Sequence, residues 1–105
     1  MKLYFDLCCY SRFYDDQGQL KIYVESEAVL NIINMTKQKN DEIYGSPALD
    51  LKIDQIDDFV ENNNIDILLT TDARFEKACS KIDINTKVIN PIKYLMEVIH
   101  NDSDI

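Results

Sequence analysis

Hydrophobic positions follow two alternating patterns along this chain: short β-favouring runs and longer stretches with helical spacing. The runs predict four strands, and the stretches that follow them predict helices with an apolar face. Strands that alternate with helices are typical of a parallel sheet with right-handed crossovers. The predicted strands are Lys2–Asp6, Glu42–Ser46, Ile65–Thr70 and Thr86–Asn90, the predicted helices are Gln19–Lys39, Pro47–Asn62, Ala73–Ile82 and Pro91–His100, and Leu7–Gly18 is a predicted loop.

Helix-start and helix-stop residues support these boundaries. Ser46-Pro47 and Asn90-Pro91 each place a capping side chain before a proline, which is favoured at the first position of a helix. The run of asparagines at 62–64 predicts the end of the second helix. The third helix has a core stripe at i, i+3, i+4 and i+7, formed by Phe75, Ala78, Cys79 and Ile82.

The composition indicates a small acidic globular protein. Its length of 105 residues fits one domain, which we assign to residues 1–100, with a flexible tail at 101–105. A hydrophobic content of 46% argues against disorder. Eleven basic and nineteen acidic residues give a net charge of −8, so the chain as a whole does not attract nucleic acid. RNA binding would therefore need a local basic patch or a metal ion.

The cysteines and the apolar runs indicate a cytoplasmic location. Cys8, Cys9 and Cys79 are odd in number and lack zinc-type spacing, so we interpret them as reduced thiols, with Cys79 in the core. No signal-peptide pattern is visible, and no apolar run has the length that spans a bilayer.

Acidic residues close two of the predicted strands. Asp6 ends the first strand, and Asp72 follows the third. The carboxyl ends of parallel strands line the ligand crevice of such a sheet, where two carboxylates can share a hard cation such as Mg²⁺. The alternative roles are local: Asp6 can bond loop amides, and Asp72 can cap the next helix. Capping and metal binding are compatible, because a carboxylate has two oxygens.

Two charged residues fall on apolar helix stripes. Glu25 lies in helical phase with Ile22 and Val29, which predicts that it faces the sheet and needs a partner or a metal. The alternative is that the first turns overhang the sheet and leave Glu25 in water. Lys52 borders a core stripe as well, and its ammonium either reaches the surface or points at the strand-end acids.

Both ends of the chain resemble a branch of the PIN-domain family. The resemblance is carried by KLYFDLCCYSRFYDDQ at Lys2–Gln17, by Ile22–Val29, by LTTDARF at Leu69–Phe75 and by Val88–Leu95. It implies a Rossmann-like α/β/α sandwich with a central, mostly parallel four-stranded sheet. It also implies a Mg²⁺- or Mn²⁺-dependent single-stranded RNA endonuclease, cytoplasmic and often the toxin of a toxin–antitoxin pair. Asp6 and Asp72 match the family's first and late metal-binding acids, and Glu25 joins them as a candidate catalytic residue.

The sequence also departs from the family pattern. Leu7 stands where threonine is common, the second acid position corresponds to Lys52, and the short segment Pro47–Asn64 leaves no counterpart for the third acid. Whether activity is retained, reduced or lost therefore stays open. Three hypotheses follow: a metal-dependent ribonuclease with a trimmed site, a non-catalytic interaction module with a protein partner such as an antitoxin, and a homodimer whose second copy covers exposed apolar surface.

Overall fold

The computed structural model describes residues 1–45, 53–81 and 86–103 of the chain. Its elements, in chain order, are β1 (Lys2–Phe5), α1 (Leu7–Ser11), α2 (Leu20–Lys39), β2 (Glu42–Tyr44), α3 (Ile53–Asn63), β3 (Ile67–Leu69), α4 (Ala73–Cys79), β4 (Lys87–Ile89) and α5 (Pro91–Ser103). The predicted α/β class is confirmed. Lys52 and the predicted cap at Ser46-Pro47 lie outside the described residues.

The four strands form one parallel sheet in the order β2-β1-β3-β4. In its register Leu3 pairs with Ile43 on one side and with Ile67 on the other, and Ile67 pairs with Lys87. The chain runs outward from β1 to β2 and then returns across β1 to β3. The space between β1 and β3 is therefore the point where the direction of winding reverses, and ligands of open α/β sheets bind at such a point, outside the carboxyl ends of the strands.

Hydrophobic clusters cover both faces of the sheet, because successive strand residues point to opposite faces. On β1, Leu3 and Phe5 join one cluster while Tyr4 joins the other. The first cluster contains Leu3, Phe5, Cys9, Val29, Ile32, Leu69, Ile89 and Tyr94, and the second contains Tyr4, Val60, Ile65, Leu68 and Cys79. Side chains of α2 and α5 belong to the first cluster, and side chains of α3 and α4 belong to the second. Helices thus pack against both faces of the sheet, which is the arrangement of an α/β/α sandwich.

Side-chain and backbone caps define several helix ends. The Asn90 side-chain oxygen accepts the N–H of Ile92 at 2.8 Å, which confirms the predicted cap before Pro91. Asn40 follows α2 and Asn64 follows α3; both have positive φ, the left-handed conformation common after helices. Helix α5 extends to Ser103, three residues beyond its predicted end.

The segment after β1 differs from the prediction. Leu7–Ser11 forms the short helix α1, whereas the sequence predicts a loop there. The Asp6 side chain accepts the Leu7 N–H, so the strand-end acid also starts this helix. The prediction was wrong because five residues carry too little hydrophobic periodicity to indicate a helix.

Candidate functional site

The candidate site lies at the carboxyl ends of the two central strands. Asp6 follows β1, and Thr70, Thr71 and Asp72 follow β3. The Asp6 N–H donates to the Leu69 carbonyl at 2.9 Å, which continues the ladder between the strands by one more bond. Because β1 and β3 are direct neighbours, the two sequence-predicted metal residues come to the same edge of the sheet, at the reversal in winding direction.

Asp6 is the buried member of the site, with 8% of its surface exposed. Its Oδ1 accepts the Leu7 N–H at 2.8 Å, and its Oδ2 accepts the Thr70 hydroxyl at 3.0 Å. Burial is the main reason why the pKa of Asp6 rises to about 6, and the neighbouring Cys8 adds to the rise. No Lys or Arg ion pair reaches this carboxylate within the described part of the chain. A buried carboxylate in this state is suited to receive a cation.

Asp72 is the exposed member of the site. Its Oδ1 accepts the N–H groups of Arg74 at 3.0 Å and Phe75 at 3.4 Å, which confirms its predicted role as the cap of α4. The Asp72 N–H donates to the Thr70 hydroxyl oxygen at 3.1 Å, and that hydroxyl donates to Asp6. Thr70 therefore links the two acids and holds both at one edge of the sheet.

Glu25 forms a buried ion pair with Arg12. It is completely buried, so the prediction that it faces inward is confirmed and the alternative of a solvated first turn is wrong. Its Oε1 accepts from Arg12 Nε at 3.0 Å, and its Oε2 accepts from Asn90 Nδ2 at 2.9 Å. Both oxygens are thus bonded, one to the residue that follows α1 and the other to the residue that precedes α5. These bonds give Glu25 a structural role, and its expected role as a catalytic residue stays a prediction.

Cys8 belongs to the site, although the sequence pattern does not indicate it. Its Sγ lies 3.5 Å from Asp6 Oδ2 and 3.3 Å from Thr70 Oγ1, and it accepts the Thr71 N–H at 3.3 Å. The neighbouring Cys9 side chain is the main reason why the pKa of Cys8 falls to about 5, and hydrogen bonds from Thr70 and Thr71 act in the same direction. In the sequence, the one feature that could have indicated Cys8 is its position two residues after the strand-end acid Asp6. Its threonine neighbours follow only from the pairing of β1 with β3.

The donor set of this site is small. The described residues contain no group of three or more His, Cys, Asp or Glu side chains placed to hold a metal. Mg²⁺, however, is commonly bound by one or two carboxylates and completes its coordination with water and substrate phosphate. Asp6 and Asp72 supply that minimal number of carboxylates. Lys52 lies outside the described residues.

Asp6→Asn is expected to stabilise the protein above pH 6 but not below pH 4. The folded pKa of about 6 exceeds the unfolded value of 3.8, so the protonated carboxyl favours folding, and this contribution is lost as pH rises from about 4 through 6. Asparagine retains the cap without the buried charge, so we expect a gain of about 2 kcal/mol at pH 8 and little gain at pH 3.5. Urea unfolding at both pH values measures the difference, and an equal effect at the two would contradict this origin.

No helix in the described ranges has the length and apolar character needed to cross a membrane.

Comparison of this chain with family models, with curated proteins and with solved structures finds no match.

Proposed function

We propose that this chain is a PIN-like domain that cleaves single-stranded RNA with a divalent metal held by Asp6 and Asp72. The observation that supports this most is the position of these carboxylates at the ends of neighbouring central strands, where the winding of the sheet reverses. The resemblance of the two chain ends to PIN domains supports the same proposal, since Asp6 and Asp72 match two of that family's acids.

A Mg²⁺ or Mn²⁺ ion would supply a water of lowered pKa and would neutralise charge on the phosphodiester. The protein groups act around it. Thr70 orients the Asp6 carboxylate by donating to Oδ2, and the Leu7 N–H holds Oδ1. On Asp72, Oδ1 caps α4, which leaves the second oxygen for the cation. A nearby positive charge would lower the pKa of Asp6 and relieve the cost of its burial.

A bound metal ion would also explain how a protein with a net charge of −8 can bind RNA. An acidic protein repels a polyanion at long range, so RNA needs a local positive charge at the site. A bound divalent cation supplies it at the sheet edge. We therefore expect RNA binding to depend on the metal and to weaken as salt concentration rises.

Calorimetric titration with Mg²⁺ and Mn²⁺ tests the metal site. Wild type is expected to bind one ion per chain, and Asp6→Asn and Asp72→Asn are each expected to bind at least about tenfold more weakly, because each removes a charged ligand. Asp58→Asn is the matched control. Asp58 is an exposed acid on α3, so this substitution removes one negative charge away from the strand ends. The same proteins are then assayed on a fluorescent single-stranded RNA with metal and with chelator.

Metal-dependent cleavage that disappears in Asp6→Asn and persists in Asp58→Asn would support the nuclease. Absence of ion binding by folded wild type would exclude it. Ion binding without cleavage would identify a metal site whose activity is lost.

The second candidate is a non-catalytic interaction module. It is favoured by the capping roles that Asp6 and Asp72 already fill, which account for both residues without a metal. Four exposed apolar side chains on the outer side of α2 offer a contact surface for an antitoxin-like protein or a second copy: Leu20, Tyr23, Val24 and Leu30. Sedimentation equilibrium distinguishes a homodimer from a monomer. The free thiols of all three cysteines agree with a reducing, cytoplasmic setting for either candidate.

A further inference from the structure

We infer that the RNA strand is bound along α4 by a basic stripe of three side chains, Arg74, Lys77 and Lys81. The stripe begins beside Asp72, so it would hold the phosphates of nucleotides next to the one that is cleaved. This inference rests on the proposed nuclease function, because it takes Asp72 as the place of the scissile phosphate. It adds the surface that binds the rest of the strand.

The three basic side chains share one side of α4, because they occupy positions i, i+3 and i+7 of a helical path. Helix α4 ends at Cys79, and a turn continues its path. The Ser80 N–H donates to the Glu76 carbonyl at 3.1 Å, and the Lys81 N–H donates to the Ala78 carbonyl at 3.2 Å. Seven residues of helix rise about 10 Å, which matches about three nucleotides of a stacked strand at about 3.4 Å each.

The other side of α4 is held against the core. Cys79 is 2% exposed and belongs to the second hydrophobic cluster, and Phe75 packs against that cluster. These contacts fix the rotation of the helix about its axis. The basic stripe is therefore turned to solvent, and Arg74, Lys77 and Lys81 are all exposed.

The stripe forms no ion pair with a carboxylate within the described part of the chain. Basic residues elsewhere do pair: Lys2 with Glu42, and Lys87 with Glu97. In a chain with nineteen acidic and eleven basic residues, an unpaired basic face is a local exception to the overall charge. Such a face attracts a polyanion that the protein as a whole repels.

Helix stability does not account for this arrangement. Along the helical path, Arg74 and Lys77 are three residues apart and Lys77 and Lys81 are four apart, and like charges at these spacings destabilise a helix. Arg74 also lies in the first turn of α4, where the helix dipole disfavours a cation. Bound phosphates would relieve both effects, because they supply the negative charge that the stripe lacks.

The stripe is continuous with the candidate site. The Arg74 N–H donates to Asp72 Oδ1 at 3.0 Å, so the first basic residue is one hydrogen bond away from a proposed metal ligand. Helix α4 connects the parallel strands β3 and β4 and therefore runs back from their carboxyl ends. An RNA strand with its scissile phosphate at the metal thus meets positive charge along α4.

RNA binding by a double variant of the stripe tests the inference. The probe is a fluorescent single-stranded RNA with phosphorothioate linkages, which keep the charge and resist hydrolysis, and monovalent salt is varied at constant Mg²⁺. Lys77→Gln combined with Lys81→Gln is expected to bind about fivefold to tenfold more weakly than wild type. The slope of log affinity against log salt concentration should become shallower by about 1.4, or about 0.7 for each lost phosphate contact.

Lys37→Gln combined with Lys39→Gln is the matched control. These lysines are exposed in the last turn of α2, which leads to the amino end of β2, at the sheet edge opposite the candidate site. The control removes the same charge and should keep the wild-type affinity and salt slope. Glutamine is a good helix former, so both double variants should fold like wild type, which circular dichroism checks.

Equal affinities and salt slopes of the two double variants would overturn the inference, and so would a folded wild type that does not bind the RNA. Calorimetry and cleavage assays judge the nuclease separately. The stripe variant is expected to bind Mg²⁺ like wild type and to raise KM more than it lowers kcat, because the stripe binds the strand away from the reacting phosphate. Wild type that lacks Mg²⁺ binding and cleavage, but whose RNA affinity depends on the stripe, would refute the nuclease and support the RNA-binding surface.

Discussion

Glu25→Ala is expected to lower the free energy of unfolding by about 3 kcal/mol, because it leaves two buried or partly buried polar groups without their acceptor. Arg12 Nε and Asn90 Nδ2 each lose the carboxylate oxygen that they bind at 3.0 and 2.9 Å. Arg12 keeps Asp15 at 2.8 Å and is partly exposed, which limits the loss to the lower end for a buried pair. The change also removes the bonds that connect α2 to Arg12, after α1, and to Asn90, before α5.

Urea unfolding at pH 7 measures this loss, with Glu27→Ala as the matched control. Glu27 lies on the same helix and is exposed, so its removal should change stability by no more than about 0.5 kcal/mol. Glu25→Gln is expected to fall between wild type and Glu25→Ala. The glutamine amide oxygen can still accept from Arg12. Its amide nitrogen, however, would face the Asn90 amide nitrogen, and two donors cannot bond each other. The Asn90 amide cannot rotate to relieve this, because its oxygen accepts the Ile92 N–H. Equal stability of Glu25→Ala and Glu27→Ala would mean that the ion pair contributes nothing.

Phe5→Ala is expected to cost about 4 kcal/mol, in the range of large-to-small changes in packed cores. Phe5 is completely buried on β1, in the cluster with Val29 and Ile32. Its ring meets the Tyr10 ring edge to face, with centroids 6.0 Å apart. The lost ring removes apolar contact and leaves a cavity directly before Asp6, so we also expect weaker metal binding at the site.

Tyr14→Ala is the control for Phe5→Ala, because Tyr14 is 88% exposed and its loss should stay within about 0.5 kcal/mol. Thermal and urea unfolding, followed by circular dichroism, give both values. If Phe5→Ala does not fold, Phe5→Leu is expected to fold with a loss of about 1 to 2 kcal/mol. A Phe5→Ala loss below about 1 kcal/mol would contradict the close packing of this cluster.

Local patterns in the chain were enough to predict the α/β class, most element positions and several caps. The strand runs, the core stripe with Cys79 and the Asn90-Pro91 helix start each depend on residues within one or two turns of each other, so they can be read without a fold. Asp6 and Asp72 were predicted to share an edge by the same local logic, since each follows a strand and parallel strands end on the same side.

Long-range pairing decided the rest. Glu25 and Asn90 are 65 residues apart in the sequence, and Cys8 and Thr70 are 62 apart. Hydrophobic periodicity, which is a local pattern, therefore predicts neither contact. The strand order β2-β1-β3-β4 made β1 and β3 neighbours and thereby brought Cys8 and Thr71 to the strand-end acids. A carboxylate on an apolar stripe signals that a partner is needed, but which partner it finds depends on how distant elements pack, and that is settled by the free energy of the whole fold.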